Sequence, residues 1–207
     1  DVLKNYNHFI ENDFYMNLLA KHIIDNKPLI LPRAESYPLP KNPDGKVLVH
    51  LGCGDQYDPR FINVDSRPLP HIHIVDSVLN PNLFKPNSVD LIYACHVLEH
   101  ISYLDTVKVL STWHSWLKPG GKLRLSVPNF NKLIWLYTIF RNIDLIKPPL
   151  LGGQNYKENS HYAIFSKKHL SKLFKQAGFS SSSKWVPHHS NYYNFNDWAI
   201  KKISWKG

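Results

Sequence analysis

The chain has 207 residues and a mass of 24.1 kDa, a size that suits one domain with short additions. Hydrophobic residues make up 43% of the chain and charged residues 20%, and no apolar run reaches the ~18 residues of a membrane span. Two cysteines, Cys53 and Cys95, are too few for a disulfide framework or a cysteine-rich zinc site. Because no secretory pattern opens the sequence, we expect a cytoplasmic protein.

Positive charge is concentrated towards the C-terminus. The formal net charge is +9 at pH 7, and residues 161–207 contain eight lysines against a single acid, Asp197. Such a segment attracts anionic partners, for example a phosphorylated substrate, a nucleic acid or a membrane surface. The alternative is a solvated lysine face without a partner, and the sequence leaves both interpretations open.

Short apolar segments bounded by turns alternate with segments of helical periodicity. The first pattern predicts strands over residues 47–51, 61–64, 71–75, 91–94 and 122–127. The second predicts helices over residues 12–25, 102–117 and 132–140, and a further helix that Ser166 begins and Gly178 ends. This alternation predicts an α/β, Rossmann-like, doubly wound sheet. We expect seven strands, mostly parallel, with residues 184–186 and 198–205 forming an antiparallel hairpin.

The predicted organisation is a short N-terminal addition followed by one domain. Residues 1–44 contain the first helix and a connector rich in proline, and residues 45–207 form the domain. Within it, residues 144–165 are irregular and contain adjacent prolines and adjacent glycines. A loop of this length in a compact domain predicts a lid or a substrate loop.

Polar and small residues stand where four predicted strands end. In a doubly wound sheet the ligand binds at the carboxyl ends of the strands. The Gly52-Cys53-Gly54 turn after the first strand permits close approach, because the glycines lack side chains. Asp65 and Asp76 end the next two strands and can accept hydrogen bonds from ribose hydroxyls and an adenine amino group, and Cys95-His96 follow the fourth strand. The pattern predicts an adenosine-containing ligand; the alternative is a structural turn with two capping aspartates.

Five segments of the sequence follow one another in an order typical of a large enzyme family. They are VLVHLGCG, FINVD, VDLIYACHVLEHIS, LKPGGKLRLSVPNF and FSKKHLSKLFKQAGF. Together they resemble a small class I methyltransferase that depends on S-adenosylmethionine. The resemblance covers about residues 45–180 and is greatest to the group whose genes often accompany surface-polysaccharide synthesis.

The resemblance implies a set of residues that bind S-adenosylmethionine. Gly52, Cys53 and Gly54 would line its methionine part, Asp65 would hold the ribose, and Cys95 and His96 would lie beside the sulfonium. Asp76 with Ser77 and Val78 would frame the adenine. Leu51 and Ser66, which adjoin these residues, complete the predicted cofactor site.

The glycine turn departs from the commoner pattern of this family. Gln56 or Tyr57 stands near the position of a third glycine, and Asp65 follows Gly52 by only 13 residues. This interval leaves room for barely one helical turn between the first two strands. The departure also argues against a nicotinamide dinucleotide site, because a pyrophosphate requires the third glycine and a helix N-terminus.

Histidines near the predicted site are candidates for proton transfer. Methyl transfer requires alignment of a nucleophile and can require removal of its proton, for which histidine is well suited. We predict His100, after the fourth strand, and His161, at the end of the long loop, as catalytic residues. Tyr162 and His188 are predicted substrate contacts. For each of the twelve histidines the alternative is a solvated or structural role.

The string His96-Val-Leu-Glu99-His100 also matches the H-x-x-E-H motif of a group of zinc peptidases. That motif requires both histidines on one helix, whereas here the string spans the end of a strand and the following turn. A third ligand is also needed, and the nearby acid Glu158 lies in an irregular loop. We therefore expect no metal.

The predicted reaction is methyl transfer to oxygen or nitrogen of a small polar acceptor, such as a sugar or a nucleotide sugar. Methylation of RNA ranks second, since the basic C-terminal third favours it but no appended RNA-binding module is present. A methyltransferase-like assembly subunit without turnover is a third alternative. The sequence leaves peripheral membrane contact open and does not indicate an oligomeric state.

Overall fold

The computed structural model of the protein describes residues 37–156 and 158–199. The predicted helix over residues 12–25 and residues 200–205 of the predicted hairpin lie outside the described residues. No helix in the described ranges is both long and apolar enough to cross a membrane.

Five parallel strands form one sheet in the described part of the chain. They are β1 (Leu48–Leu51), β2 (Phe61–Asp65), β3 (Ile74–Val75), β4 (Val89–Cys95) and β5 (Leu117–Ser126). Their spatial order is β3-β2-β1-β4-β5, so the direction in which strands are added reverses beside β1. Such a reversal separates the connections on either side of β1 and opens a crevice at the carboxyl ends of the strands. The predicted α/β class and the parallel sheet are confirmed.

The third strand is shorter than predicted, because residues 71–73 lie outside it. The side chain of His73 replaces a strand carbonyl as hydrogen-bond partner: its Nδ1 accepts from the backbone N–H of Asn63 at 2.8 Å. The amide of Asn63 donates in turn to the carbonyl of His71 at 3.1 Å. Side-chain hydrogen bonds thus take the place of regular strand pairing here.

The described part of the chain contains four helices. They are α1 (Thr106–Trp116), α2 (Phe130–Phe140), α3 (Lys147–Leu151) and α4 (Lys167–Gln176), and single 3-10 turns span Leu98–His100, Ile143–Leu145 and Pro187–His189. Helix α1 begins later than predicted because Asp105 N–H closes a turn on the carbonyl of Ser102 at 2.9 Å. Helix α4 begins as predicted, where Ser166 Oγ accepts from the N–H of His169.

The two faces of the sheet are covered differently. Val49 and Leu51 of β1 point into a core that includes Trp113 of α1 and Leu173 of α4. On the opposite face the Tyr93 ring stacks on Phe195 with ring centroids 4.7 Å apart. The described residues therefore place helices on one face and an aromatic C-terminal segment, residues 185–197, on the other.

The predicted antiparallel hairpin and the count of seven strands are not confirmed. Residues 184–186 form no strand, and the described sheet has five. The reason is a side-chain contact: Trp185 Nε1 donates to the carbonyl of Leu125 at 2.9 Å. Arg124 also donates from its guanidinium to the carbonyl of Asn191. Segment 185–197 thus contacts β5 through side chains instead of adding a strand.

Candidate active site

The carboxyl ends of the parallel strands are in register at one edge of the sheet. Leu51 pairs with Val64 of β2 and with Ala94 of β4. Asp65 pairs with Val75 of β3. The residues that follow or end these strands are therefore neighbours at this edge: Gly52, Asp65, Asp76 and Cys95.

The turn after β1 requires glycine at both of its glycine positions. Gly52 and Gly54 have φ of 58° and 55°, in the left-handed region that side chains disfavour. An added Cβ on Gly52 would also lie 2.6 Å from Cγ2 of Val97, which packs against the turn from the segment after β4. The residues between β1 and β2 form turns and no helix, as the short interval predicts.

Asp65 ties the glycine turn to the end of β2. Its Oδ2 accepts from the N–H of Gly54 at 2.8 Å, and its Oδ1 accepts from the N–H and Nε of Arg67 at 3.0 and 3.2 Å. The side chain is nearly buried. A carboxylate has about four lone-pair positions, so these three hydrogen bonds leave little acceptor capacity for a ligand.

Two further side chains hold this turn, and the sequence analysis missed both. His71 Nε2 lies 2.8 Å from the carbonyl of Gly54, which can only accept, so this nitrogen carries the proton. The guanidinium of Arg67 reaches over the turn, with Nη2 3.3 Å from where a Cβ on Gly54 would lie. The pattern His71-Ile72-His73 gives no sequence signal for such a role.

The residues predicted to frame adenine are held by local contacts. The carboxylate of Asp76 accepts from the N–H of Ser77 at 2.6 Å and from the amide of Asn80 at 2.8 Å. The carbonyl of Val78 accepts from Trp113 Nε1 at 3.0 Å, which fixes this segment against α1. Ser77 and the predicted cofactor residue Ser66 are exposed.

The side chains of three predicted cofactor residues are buried in whole or in part. The side chains of Leu51 and Cys53 are buried, so only their backbones can face a ligand. Burial raises the pKa of the Cys53 thiol well above its ordinary value. Burial, reinforced by Asp197, raises the pKa of the half-buried Cys95 to about 12. Both environments therefore favour the neutral thiol over a thiolate nucleophile at this edge.

The glycine turn and the two neighbouring strand ends lie together, where the sequence predicts that S-adenosylmethionine binds. The partly exposed turn at Gly52 and Gly54 offers backbone without side chains. Among the described residues, the flexible end of Arg67 is the one group within 4 Å of where a Cβ on Gly54 would lie. Asp65 and Asp76 stand at adjacent strand ends, joined by a hydrogen bond of 3.1 Å from the N–H of Asp76 to the carbonyl of Asp65. These are the positions at which a doubly wound sheet binds a nucleoside.

After β4 the chain turns sharply at His96, which has φ of 55°. Its Nδ1 lies 2.7 Å from Oε1 of Glu99. Apart from this contact with His96, neither carboxylate oxygen of Glu99 has a hydrogen-bond partner among the described residues. Because Glu99 lies in a single 3-10 turn that follows His96, the two histidines of the H-x-x-E-H string do not share a helix. The zinc-peptidase arrangement is thereby excluded.

The two predicted catalytic histidines are brought together, beside Glu99. The rings of His100 and His161 lie 4.7 Å apart at an interplanar angle of 81°. The long loop reaches them because Tyr162 and Ala163 donate their N–H groups to the carbonyl of Glu99 at 2.8 and 3.2 Å. Burial lowers the pKa of His161 below its ordinary value. We call these three residues the Glu99–His100–His161 cluster.

The two predicted substrate contacts differ in position. The side chain of Tyr162 is exposed next to the cluster. His188 is exposed in the C-terminal segment, where its ring contacts Tyr193 at 6.3 Å. The sequence analysis assigned Glu99 only to the excluded peptidase motif, although its place directly before His100 could have identified it.

The sequence matches the family profile described as a methyltransferase domain over residues 25–183, well over half of the chain. No curated protein sequence matches it. Solved structures of several methyltransferases align with parts of the chain. An enzyme from Archaeoglobus fulgidus that depends on S-adenosylmethionine has 15% identity and a TM-score of 0.46, covering 64% of this chain and 60% of its own.

Two further structures have known ligands. The 1,6-didemethyltoxoflavin-N1-methyltransferase of Burkholderia thailandensis, with its substrate and S-adenosylhomocysteine, has 14% identity and a TM-score of 0.45, covering 86% and 74% of the two chains. The phosphoethanolamine N-methyltransferase 2 of Haemonchus contortus, with S-adenosylmethionine, has 16% identity and a TM-score of 0.41, covering 84% and 44%. Similarities of this size do not carry those acceptors over to this chain. The family profile decides its class: the chain belongs to the methyltransferase-domain family, and its cofactor is S-adenosylmethionine.

Proposed function

We propose that the protein transfers a methyl group to oxygen or nitrogen of a small polar acceptor, with a sugar or nucleotide sugar as the first candidate. The Glu99–His100–His161 cluster carries this proposal. It adjoins the strand end at Cys95 and His96, which we assign to the neighbourhood of the sulfonium. The resemblance of its sequence motifs to the polysaccharide-associated group supports the choice of a sugar.

The cofactor supplies the activated methyl group, and the protein has to orient the acceptor and accept its proton. Nδ1 of His100 lies 3.1 Å from the carbonyl of Ser160, and Nδ1 of His161 lies 3.2 Å from the carbonyl of Pro149. Carbonyls only accept, so each Nδ1 carries the hydrogen and each Nε2 has a free lone pair. We assign proton acceptance to these Nε2 atoms.

Residues 144–165 are proposed as the substrate loop. Their helix α3 and the carbonyl of Leu151, which accepts from the N–H of His161 at 3.0 Å, support the position of His161. Tyr162, exposed beside this histidine, is proposed to contact the acceptor, and the more remote His188 is a weaker candidate.

A methyl-transfer screen tests the proposal. The full chain is incubated with methyl-labelled S-adenosylmethionine and with pools of nucleotide sugars, polysaccharide fragments and RNA, and the mass of each labelled product is measured. We expect label in a sugar-containing product. Label is expected to fall at least about tenfold in His161→Ala. His189→Ala, at an exposed position outside the cluster, is the matched histidine control.

The exposed lysines of α4 favour a second candidate, methylation of RNA. Lys167, Lys168, Lys172 and Lys175 are all exposed on this helix. Filter binding of tRNA and rRNA across a salt series separates the two candidates, since affinity for nucleic acid falls steeply with salt. Label in RNA alone would reject the sugar proposal. Thermal stabilisation by S-adenosylhomocysteine without label in any pool would instead favour an assembly subunit.

A further inference from the structure

We propose that the Glu99–His100–His161 cluster is a binding site for one divalent transition-metal ion. One ligand atom from each of these residues lies within 4.8 Å of those from the other two. Metal–ligand distances of about 2.0–2.2 Å place the ligands of a tetrahedral ion about 3.3 to 3.6 Å apart, so side-chain rotations have to bring the three atoms closer together.

The backbone fixes both histidines in the tautomer that a metal requires. Because Nδ1 of His100 and Nδ1 of His161 donate to the carbonyls of Ser160 and Pro149, the lone pair of each ring is on Nε2. Histidines that bind metals typically donate their second nitrogen to a carbonyl in this way, which fixes the orientation of the ring. Two separate contacts, on two different parts of the chain, thus place the hydrogen on Nδ1 and the lone pair on Nε2 in both histidines.

The carboxylate of Glu99 provides an independent argument. Its side chain is only 1% exposed, yet neither oxygen accepts a hydrogen bond from any part of the chain that the structure describes. A buried carboxylate without donors is costly unless a cation or hydrogen bonds compensate it. His96, 2.7 Å from Oε1, is the only neighbouring cation candidate among the ion pairs of the described residues. A bound divalent ion would compensate the charge directly.

The set of donors indicates the class of ion. Two imidazole nitrogens and one carboxylate suit Zn²⁺, Mn²⁺, Fe²⁺ or Co²⁺, whereas Mg²⁺ and Ca²⁺ prefer oxygen. The proposed set differs from the peptidase motif, because Glu99 is a ligand and His96 is not. His161 supplies the third ligand, for which the sequence analysis considered only Glu158. This proposal differs from the expectation of the sequence analysis that no metal binds.

Three protein ligands leave coordination positions open, which is the pattern of sites that also bind a substrate. Resting on the proposed function, we assign an open position to an oxygen or nitrogen of the acceptor. In that case the Nε2 atoms are ligands and no longer accept a proton. The ion would then lower the pKa of the bound acceptor, so that its proton passes to solvent water when the methyl group is transferred.

Cobalt titration of the full chain tests the site without any acceptor. The protein is freed of metal with EDTA, dialysed and titrated with Co²⁺, whose visible absorption reports nitrogen and oxygen coordination. We expect one Co²⁺ per chain, displaced by an equal concentration of Zn²⁺ but not of Mg²⁺. His161→Ala and Glu99→Gln should each weaken binding at least about tenfold.

His188→Ala is the matched control, because this exposed histidine lies outside the cluster and its loss should leave the titration unchanged. Thermal stabilisation by S-adenosylhomocysteine shows in each variant that the fold is intact. If Glu99→Gln does not fold, His161→Ala on the surface loop decides the question. The proposal is overturned if the wild type binds no stoichiometric Co²⁺, or if His161→Ala binds it as the wild type does. Stoichiometric Co²⁺ without stabilisation by S-adenosylhomocysteine would support the metal site and contradict the proposed function.

Discussion

Gly52 shows how one residue determines the shape of the sheet edge at which the strands end. Its conformation is left-handed, and its missing side chain leaves room for Val97 from the segment after β4. The turn and the end of β4 therefore depend on each other sterically. The sequence indicates that a glycine turn follows β1, but the contact with Val97 is not predictable, because it depends on the register of two strands that are distant in sequence.

We expect Gly52→Ala to destabilise the protein more than backbone strain alone explains. Gly45 offers a matched control: its φ is 67°, and an added Cβ there has nothing within 4 Å. Gly45→Ala should cost about 1 kcal/mol of unfolding free energy through strain. Gly52→Ala should cost about 1 to 3 kcal/mol more because its Cβ overlaps Val97. Urea unfolding measures both changes. An equal decrease in unfolding free energy for the two variants would show that the Val97 side chain moves aside without an energetic penalty.

Asp65 is expected to support cofactor binding by positioning the turn. Asp65→Asn removes the charge that accepts from Gly54 and Arg67 and should weaken S-adenosylhomocysteine binding by about tenfold. Asp58 is a closely matched control, because it accepts from Arg60 two residues later in the same way, before β2 begins. Calorimetric titration of Asp58→Asn should give an unchanged affinity. Unchanged affinity in Asp65→Asn would refute its assignment to the cofactor site.

At the scale of elements, the apolar periodicity predicted the strands and helices well where burial determines them. β1 and β4 are buried along most of their length and lie where the sequence indicates. Two of the errors lie where a side chain forms a hydrogen bond with the backbone. Residues 71–73 leave the third strand because of His73, and residues 184–186 contact β5 through Trp185. A hydrogen bond from an indole or imidazole to a distant backbone leaves no periodic signal in the sequence.

The same limit applies to the candidate site. Its glycines and aspartates were predictable, because each follows a strand and strand ends share one edge. Arg67 and His71 were not, since their roles depend on where a loop brings their side chains. The meeting of His161 with His100 depends on backbone hydrogen bonds from Tyr162 and Ala163 to Glu99, which no spacing rule predicts.

Trp185 is expected to stabilise the edge of β5. Trp185→Phe keeps an aromatic ring but removes the donor to the carbonyl of Leu125, and should cost about 1 to 2 kcal/mol of unfolding free energy. Trp135→Phe, at a 60% exposed position on α2, should change it by less than about 0.5 kcal/mol. If urea unfolding gives the same small change for both variants, the hydrogen bond from Trp185 to Leu125 does not contribute to the unfolding free energy.

For the molecule as a whole, a buried histidine in the central strand is expected to determine its sensitivity to acid. His50 lies among the rings of Phe61, Tyr93 and Phe195, with centroid distances of 4.6–6.3 Å. Burial, together with His71 and against the opposing effect of Asp58, lowers its pKa from 6.5 to about 3. The unfolded chain therefore takes up a proton near pH 6.5 that the folded chain does not take up until about pH 3.

This difference favours unfolding as the pH falls. Between about pH 6.5 and pH 3 it lowers the unfolding free energy by about 1.4 kcal/mol per pH unit. His50→Phe should thus lose about 2 to 3 kcal/mol less than the wild type between pH 7 and pH 4.5, measured by urea unfolding at both values. Leu48→Val, on the same face of β1, serves as control, because it should lower stability equally at both pH values. Phenylalanine at position 50 cannot take up a proton. A dependence of the unfolding free energy on pH in His50→Phe as steep as that of the wild type would therefore assign the acid sensitivity to other groups.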